Sequence, residues 1–530
     1  MRTYRSRVSR RDFLGRAAAV VGGVSVGLMG LQASAAGVSA AGLDESSVPR
    51  LAAVTQQSGS SVVASMAERL LTMDPANHIS IAATTVQRHI YDPLVDVTSD
   101  SRIVPALAES WEILDDLTWR FRLRQGVTFH DGTPLTSADV VYSLARPATD
   151  TKLQKNSVLG DISSVEPEGA NSVIVRSRSP FGSLLGHLTM LGIMPASAAG
   201  REDAFFQAPV GTGPFKLTSW TLGEEVQLAA NTNYWVSGSP KVSSATFRFI
   251  PEVSTRAAGL RTGEIDIIDR IPADMVSTLQ NSPGVQVLTR PSVETQQWVF
   301  QLQNPPLDNL MVRKAISMAI DRATIVNEFH LGYAETAVSP IPPGLVGHVN
   351  LGAKVYDPSG AREMLRQSGV SNPSLDFILM KGVYTKQLEI AEAVQAMLGE
   401  IGITLTIKEL ERAAAIELRA AGNYHMFYSG WAHMPHDPDW YFGSWFTAKG
   451  AAILTRYNNP VVEQLIVDAR STNNAVRQQK YEQIQRIVWD EEEATIWPYY
   501  STAVYGARDR VSGYEARPDY YVLLNNVMVG

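Results

Sequence analysis

Apolar and polar residues alternate at 119–124, where Trp119, Phe121 and Leu123 are separated by Arg120, Arg122 and Arg124. That period of two predicts a half-buried strand. Gln125-Gly126 supplies a turn, Val127 to Phe129 a second short strand, and Asp131-Gly132 another turn. Thr136 stands three residues before Asp139 and just ahead of Val140, Val141 and Leu144. This is a capping box opening an amphipathic helix. The local prediction is strand, strand, helix.

Similar periods recur downstream. Val285 to Leu288 reads as a strand after the Pro283-Gly284 turn, and Trp298 to Leu302 as a second strand closed by Asn304-Pro305-Pro306. Asp308 can cap a helix whose apolar face is Val312, Ala315, Ile316, Ala319 and Ile320. Asp357-Pro358 gives an N-cap with proline at the first helical position, and Gly369 a C-terminal stop. A strand at 375–380, a helix at 386–398 with Ile390, Val394 and Met397 on one face, and a strand through Ile403, Leu405 and Ile407 make a βαβ unit. Part of a parallel sheet must lie there. A further helix is predicted at 481–489, with Ile484, Ile487 and Val488 apolar. No internal repeat is evident.

The chain has 530 residues, enough for two or three units. Its hydrophobic content of 45% and charged content of 19% are ordinary for a globular protein. The net charge of −7 is spread without blocks, and no basic stripe points to nucleic acid. Cysteine is absent, which excludes disulfides, thiolate ligands, a cysteine nucleophile and lipid attachment through an N-terminal cysteine. The first 40 residues have the pattern of an export signal. Five arginines between Arg2 and Arg11 precede an apolar, Gly- and Ala-rich run from Ala17 to Leu31, and Ala33-Ser34-Ala35 and Val38-Ser39-Ala40 are both cleavage candidates. Ser9-Arg10-Arg11-Asp12-Phe13-Leu14 resembles the twin-arginine motif. Residues 41–60 read as a linker. No later apolar run is long enough to cross a membrane.

Several strings occur in a fixed order: Tyr91-Asp92-Pro93-Leu94-Val95, Leu107-Ala108-Glu109-Ser110-Trp111, the 111–146 segment, Gly211-Thr212-Gly213-Pro214-Phe215 and Asn233-Tyr234-Trp235. They continue with Thr262-Gly263-Glu264-Ile265-Asp266, Val312-Arg313-Lys314-Ala315-Ile316, Ala319-Ile320-Asp321-Arg322, Tyr356-Asp357-Pro358, Gly402-Ile403, and Gly430-Trp431 leading to Asp437-Pro438-Asp439. Together they resemble the bacterial extracytoplasmic solute-binding proteins of the peptide and nickel class, family 5, which feed ABC importers. The resemblance implies an α/β, two-lobed periplasmic-binding-protein fold of type II, with an extra subdomain in the first lobe and two crossing hinge strands. It places lobe I at 61–295 plus 496–530, the subdomain at 97–206 and lobe II at 296–495. It implies a monomeric, soluble periplasmic receptor without a cofactor. Its partners would be a small-molecule ligand, the membrane permease subunits and their cytoplasmic ATPases.

The candidate ligand residues follow from the same resemblance. The loop after Gly430-Trp431 faces the interlobe cleft in the family. Peptide-binding members carry an aspartate three positions after the tryptophan, where it meets the ligand's ammonium. This chain has Met434 there, and a thioether offers no ionic partner. Trp431 and Trp440 can stack on a ring or an apolar face. His433, His436 and Asp437 lie close enough in sequence to be read either as polar ligand contacts or as metal ligands. The metal reading allows a metal-complex receptor or, as a rival class, an exported metal-dependent hydrolase. A peptide-handling chaperone or sensor on the same scaffold is a third reading. Lys381 follows a predicted strand near the point where dipeptide-binding relatives place an arginine for the ligand carboxylate. Trp298 can wall the cleft from a crossing strand, and Asp74 and His78 can reach it from the other lobe. His130-Asp131-Gly132 reads as turn chemistry and Gly211 to Pro214 as a tight turn. No nucleophile elbow or zinc-protease helix occurs.

The export reading makes one prediction. Substituting Arg10→Lys together with Arg11→Lys keeps the positive charge but should abolish export, checked by fractionating cells and blotting for the protein.

Overall fold

The structure is a computed structural model and describes residues 60–451 and 454–530. The export-signal and linker readings lie outside the described residues. One sheet of twelve strands runs through the molecule. Its order is 404–410, 374–380, 426–432, 285–300, 499–508, 267–268, 61–66, 244–249, 225–230 and 215–221, with Ala334–Thr336 added beside 499–508 and Thr495–Ile496 beside 285–300. The fold is two-lobed. Strands 374–432 form the sheet of one lobe and strands 61–268 the sheet of the other, joined by Val285–Phe300 and Tyr499–Arg508.

These two crossing strands hold the lobes in one hydrogen-bonded surface. Val285–Phe300 is 16 residues long, roughly 50 Å at a strand's rise of about 3.3 Å per residue. The two strands predicted at 285–288 and 298–302 are thus the ends of one strand. It pairs with 502–508 at its start and with 426–432 from Glu294 to Phe300. Between these stretches the register shifts, so that Ser292, Val293 and Glu294 face Ser501 alone. Proline at 291 has no N–H to give the ladder, and the break begins there.

The predicted βαβ unit is present as Ser374–Met380, Gln387–Glu400 and Thr404–Leu410, with the two strands parallel. The helix Ser137–Thr149 opens on the capping box, Asp139 accepting from the Thr136 backbone N–H at 2.8 Å. Asp357 caps Pro358–Gln367. The cap of Leu310–Ala319 is Asn309, whose side chain accepts from Met311 N–H. The expected cap, Asp308, lies one residue too early to reach that donor. The helix predicted at 481–489 starts earlier, at Asn474, and ends in a wider turn, Ile487–Glu491.

A separate four-stranded antiparallel sheet runs 108–115, 118–123, 172–177, 162–167. Trp119, Phe121 and Leu123 point into its core, while Arg120 turns outward to Glu112 and Glu168. The C-terminal segment returns to the first lobe, where Tyr520, Val522, Leu524 and Val527 pack with Val62, Phe247 and Tyr505.

Most of the recurring sequence strings prove to be scaffold. The Asp92 carboxylate accepts hydrogen bonds at 2.8 Å each from Thr212 Oγ1, Tyr234 OH and Trp235 Nε1, joining three of them. His130 bonds the Gly213 carbonyl at 3.0 Å, and Asp131 closes its own turn on Thr133. Arg313 donates to the carbonyls of Leu307 and Glu492, and Asp266 accepts from Arg510 and from the Val63 backbone.

Trp298 is fully buried in the second lobe, against Phe377 and Tyr428 with ring centroids 5.9 Å from each. Trp298→Ala should therefore cost about 3–5 kcal/mol, measured as a shift in the urea unfolding transition.

Candidate functional site

The strand Met426–Ala432 lies antiparallel to the crossing strand, with Gly430 opposite Gln296 and Trp431 opposite Thr295. Alternation then sends neighbouring side chains to opposite faces. One face carries aromatic residues. Trp431 meets the edge of Trp440 at 4.8 Å and lies 5.8 Å from both Tyr441 and Trp445. Tyr441 bonds Gln297 and Trp497, which fixes the ring against which the loop folds.

The loop itself is anchored to the bulge, because His433 N–H donates to the Val293 carbonyl at 2.9 Å. The His433 ring is wholly buried, 5.0 Å from Tyr441, and neither ring nitrogen has a hydrogen-bond partner. Burial pulls its pKa down to about 3, and nearby His436 adds to the effect. His436 turns the other way. Its Nδ1 bonds Ser101 Oγ at 2.8 Å and its Nε2 lies 3.4 Å from Asp519. Asp437 is held by Arg477 and accepts from Asp439 N–H. The three side chains proposed as metal ligands are thus not gathered on one point. Among the described residues no group of three or more histidines and carboxylates could hold a metal ion. Met434 is buried in an apolar cluster with Leu188, Met190 and Tyr521.

The other face of the crossing strand is polar. Glu294 and Gln296 are both buried, and Gln296 Nε2 donates to Glu294 Oε1 at 2.5 Å. Tyr384 OH accepts from Gly430 N–H at 2.9 Å. A Cβ on Gly430 would come within 3.0 Å of Gln296, Glu294 and Tyr384. Arg270 approaches Glu294 from the first lobe, and its guanidinium carbon lies over the Tyr520 ring, 4.2 Å from the centroid.

Ion pairs and backbone bonds close the lobes around this seam. Lys386 reaches Asp274 at 2.8 Å. On the opposite side Arg470 contacts Asp439 and Asp161, and Arg477 donates to the Gly182 carbonyl at 2.9 Å. Gly182 N–H donates to the Arg470 carbonyl at 2.8 Å. A Cβ on Gly186 would stand 2.2 Å from the Pro435 carbonyl oxygen, and one on Gly182 2.0 Å from that of Ser471. Five side-chain-bearing residues with left-handed backbone lie along the seam: Ser101, Arg270, Lys386, His436 and Tyr520. Such strain persists only where surrounding contacts enforce it, and it gathers at binding sites.

Of the residues proposed from sequence, Trp431, His433 and Trp440 come together, with Met434, His436 and Asp437 in the same loop. The others lie elsewhere. Lys381 is largely exposed and pairs with Glu411 at 3.5 Å, and Trp298 sits in the second lobe's core. Asp74 makes two bonds to Arg146, and His78 bonds Gln87 at 2.6 Å. Burial, with Lys155 next, holds the His78 imidazole well below its usual range. Glu294, Gln296, Arg270, Tyr384 and Tyr520 were not proposed. The polar run Ser292-Val293-Glu294-Thr295-Gln296-Gln297 between two strand-like stretches was the available signal.

A two-lobed sheet with its polar residues at the crossing is the frame of a solute-binding protein. The model of bacterial extracellular solute-binding proteins, family 5, matches residues 102–452, and the chain belongs to that family. It is 28% identical over 447 residues to the glutathione-binding protein GsiB of Escherichia coli K12, covering 81% of this chain and 87% of that one. Two solved structures are similar, each with a TM-score of 0.77, 26% identity and 89% of this chain covered. They are the periplasmic binding protein DppA of Helicobacter pylori with the peptide STSA, 98% covered, and AgaA of Agrobacterium tumefaciens R10 with agropinic acid, 99% covered.

The buried His433 predicts acid sensitivity. Its folded pKa lies below the ordinary 6.5, so the folded state binds fewer protons than the unfolded state. Stability is complete above the unfolded value and is lost as pH falls. His433→Phe should lose on the order of 3 kcal/mol less than wild type between roughly pH 7 and pH 4, read from unfolding curves at each pH.

Proposed function

We propose that this chain is the receptor of an ABC importer. It binds a small organic solute between its lobes in the periplasm and delivers it to membrane permease subunits served by cytoplasmic ATPases. The reading includes twin-arginine export, a monomer, and lobes at 61–295 plus 496–530 and at 296–495, with 97–206 as the added subdomain. The observation that carries it is family membership together with a buried polar cluster on the strand that joins the lobes. Contacts drawn from both lobes exist only in the closed state, so a ligand that makes them shifts the population toward closure.

The relatives named above are a glutathione-binding protein and binding proteins in complex with a peptide and with agropinic acid. These solutes share amide or amine and carboxylate chemistry, and a solute of that kind is the proposed cargo. Trp431, His433 and Trp440 form the apolar wall. Met434, buried in an apolar cluster, gives no ionic anchor to an ammonium.

Native mass spectrometry of protein purified from its own periplasm should reveal a bound small molecule. Returning that molecule to stripped protein should reduce the radius of gyration in X-ray scattering and raise the melting temperature. An unchanged radius at saturation would overturn the closure mechanism. Trp431→Ala should weaken binding of the same molecule by about 1–3 kcal/mol, measured by calorimetry.

A further inference from the structure

We propose that Glu294 and Arg270 form a paired reader for one compact head group, an ammonium and a carboxylate carried on the same carbon. This rests on the solute-receptor reading and narrows its ligand class. Glu294 sits in the bulge, where the crossing strand is re-aimed. It is only 7% exposed; its carboxylate accepts from Gln296 and also lies within hydrogen-bond reach of the Tyr520 hydroxyl. Arg270 Nη1 stands 3.9 Å from Glu294 Oε2, inside ion-pair range but too far for a hydrogen bond. The Arg270 guanidinium makes no hydrogen bond to any described residue, and its central carbon lies over the Tyr520 ring. Gln296 Oε1 is buried and also lacks a partner.

A structural ion pair buried for stability would be in contact, with its remaining donors and acceptors satisfied. This one is not. A carboxylate and a guanidinium fork with free donors therefore approach each other across the seam, with an unpartnered amide oxygen on the residue bonded to the carboxylate. The backbone at Arg270 and at Tyr520 is left-handed, with φ of 48° and 62°. The fold accepts strain to present these two side chains.

The charges select a geometry. An ammonium fits Glu294 and Gln296 Oε1, and a carboxylate fits the Arg270 fork bidentately. With the two readers adjacent, both charges must be close together on the ligand. The termini of a linear peptide are separated by up to about 3.3–3.6 Å per residue, and even a dipeptide extended across the seam satisfies one reader at a time. A γ-linked glutamyl group, or a free amino-acid head on a longer tail, satisfies both. The tail then lies along the polar face of the crossing strand, past Gly430 and Tyr384.

The test uses two isomers of one composition, γ-glutamylglycine and α-glutamylglycine, titrated calorimetrically into the stripped mature protein. The γ-isomer carries its free ammonium and a carboxylate on one carbon and the α-isomer does not. The γ-isomer should bind at least tenfold more tightly. N-acetylation of the γ-isomer should weaken it at least tenfold on wild-type protein, which needs no variant to fold. Glu294→Gln and Arg270→Gln should each cause a similar loss, with Arg270→Lys intermediate because it keeps charge without the fork. Equal binding of the isomers, or an unchanged γ-isomer affinity in Glu294→Gln, would overturn the reader. If neither isomer binds while the protein still contracts on its co-purified solute, the reader falls and the receptor role stands. If no solute co-purifies and scattering shows no contraction, the receptor role falls and the reader with it.

Discussion

The backbone ladder between Val285–Phe300 and Tyr499–Arg508 is the constraint on which the molecule depends. A sheet can pass from one lobe to the other only if some strands belong to both. Each crossing strand then has to satisfy its N–H and C=O groups in two environments. The bulge after Pro291 is where that change of partner occurs. Three residues there leave the regular ladder, and one of them is Glu294. The only break in the long strand is thus also the place where a charged side chain enters the seam. The register shift of the crossing strand and the proposed binding surface share the same few residues, so in that proposal ligand contact and lobe movement are coupled.

Around the ladder, burial of charge sets much of the local chemistry. Asp519 shows the balance. Burial opposes its ionisation, yet Arg517, bonded to it directly, and His436 more than offset that cost and hold its carboxyl below the usual range. The same His436 carries the loop of the second lobe onto the first. Asp437 and Asp439 are likewise held by Arg477 and Arg470. The Asp437 carboxylate, open to ligand or metal work in the sequence, is committed to an ion pair inside the second lobe, while Arg470 links Asp439 to Asp161 of the first.

That difference explains what the sequence made legible. Local patterns carry local structure. The Thr136–Asp139 box, the Asp357 cap and the apolar period of 386–398 depend on neighbours within a turn, and the elements form as expected. The ordered strings identify the family because their residues, such as Asp92 with Thr212, Tyr234 and Trp235, hold the scaffold together. The site is different in kind. Glu294 and Arg270 are 24 positions apart in the chain and meet only because the crossing strand returns past the first lobe. No periodicity encodes that. Lys381 was proposed from its place at a strand end, but there it is largely exposed and pairs with Glu411, the residue just past the end of the adjacent strand. The polar run 292–297 was visible, yet a buried glutamate in a sheet looks like a loop until the partner strands are known.

The two glycines at the edge of the seam have a different kind of importance. At Gly182 and Gly186 the first lobe presents bare backbone, and the second lobe lays its own backbone against it, carbonyl to α-carbon, with no space for a methyl group. The approach of the two lobes is thereby gauged by main chain rather than by side chains that could bend aside. A single added carbon at Gly186 would act as a wedge whose thickness is fixed by covalent geometry. Under the closure proposed for this receptor, the hinge would then stop short of the lobe contact seen here.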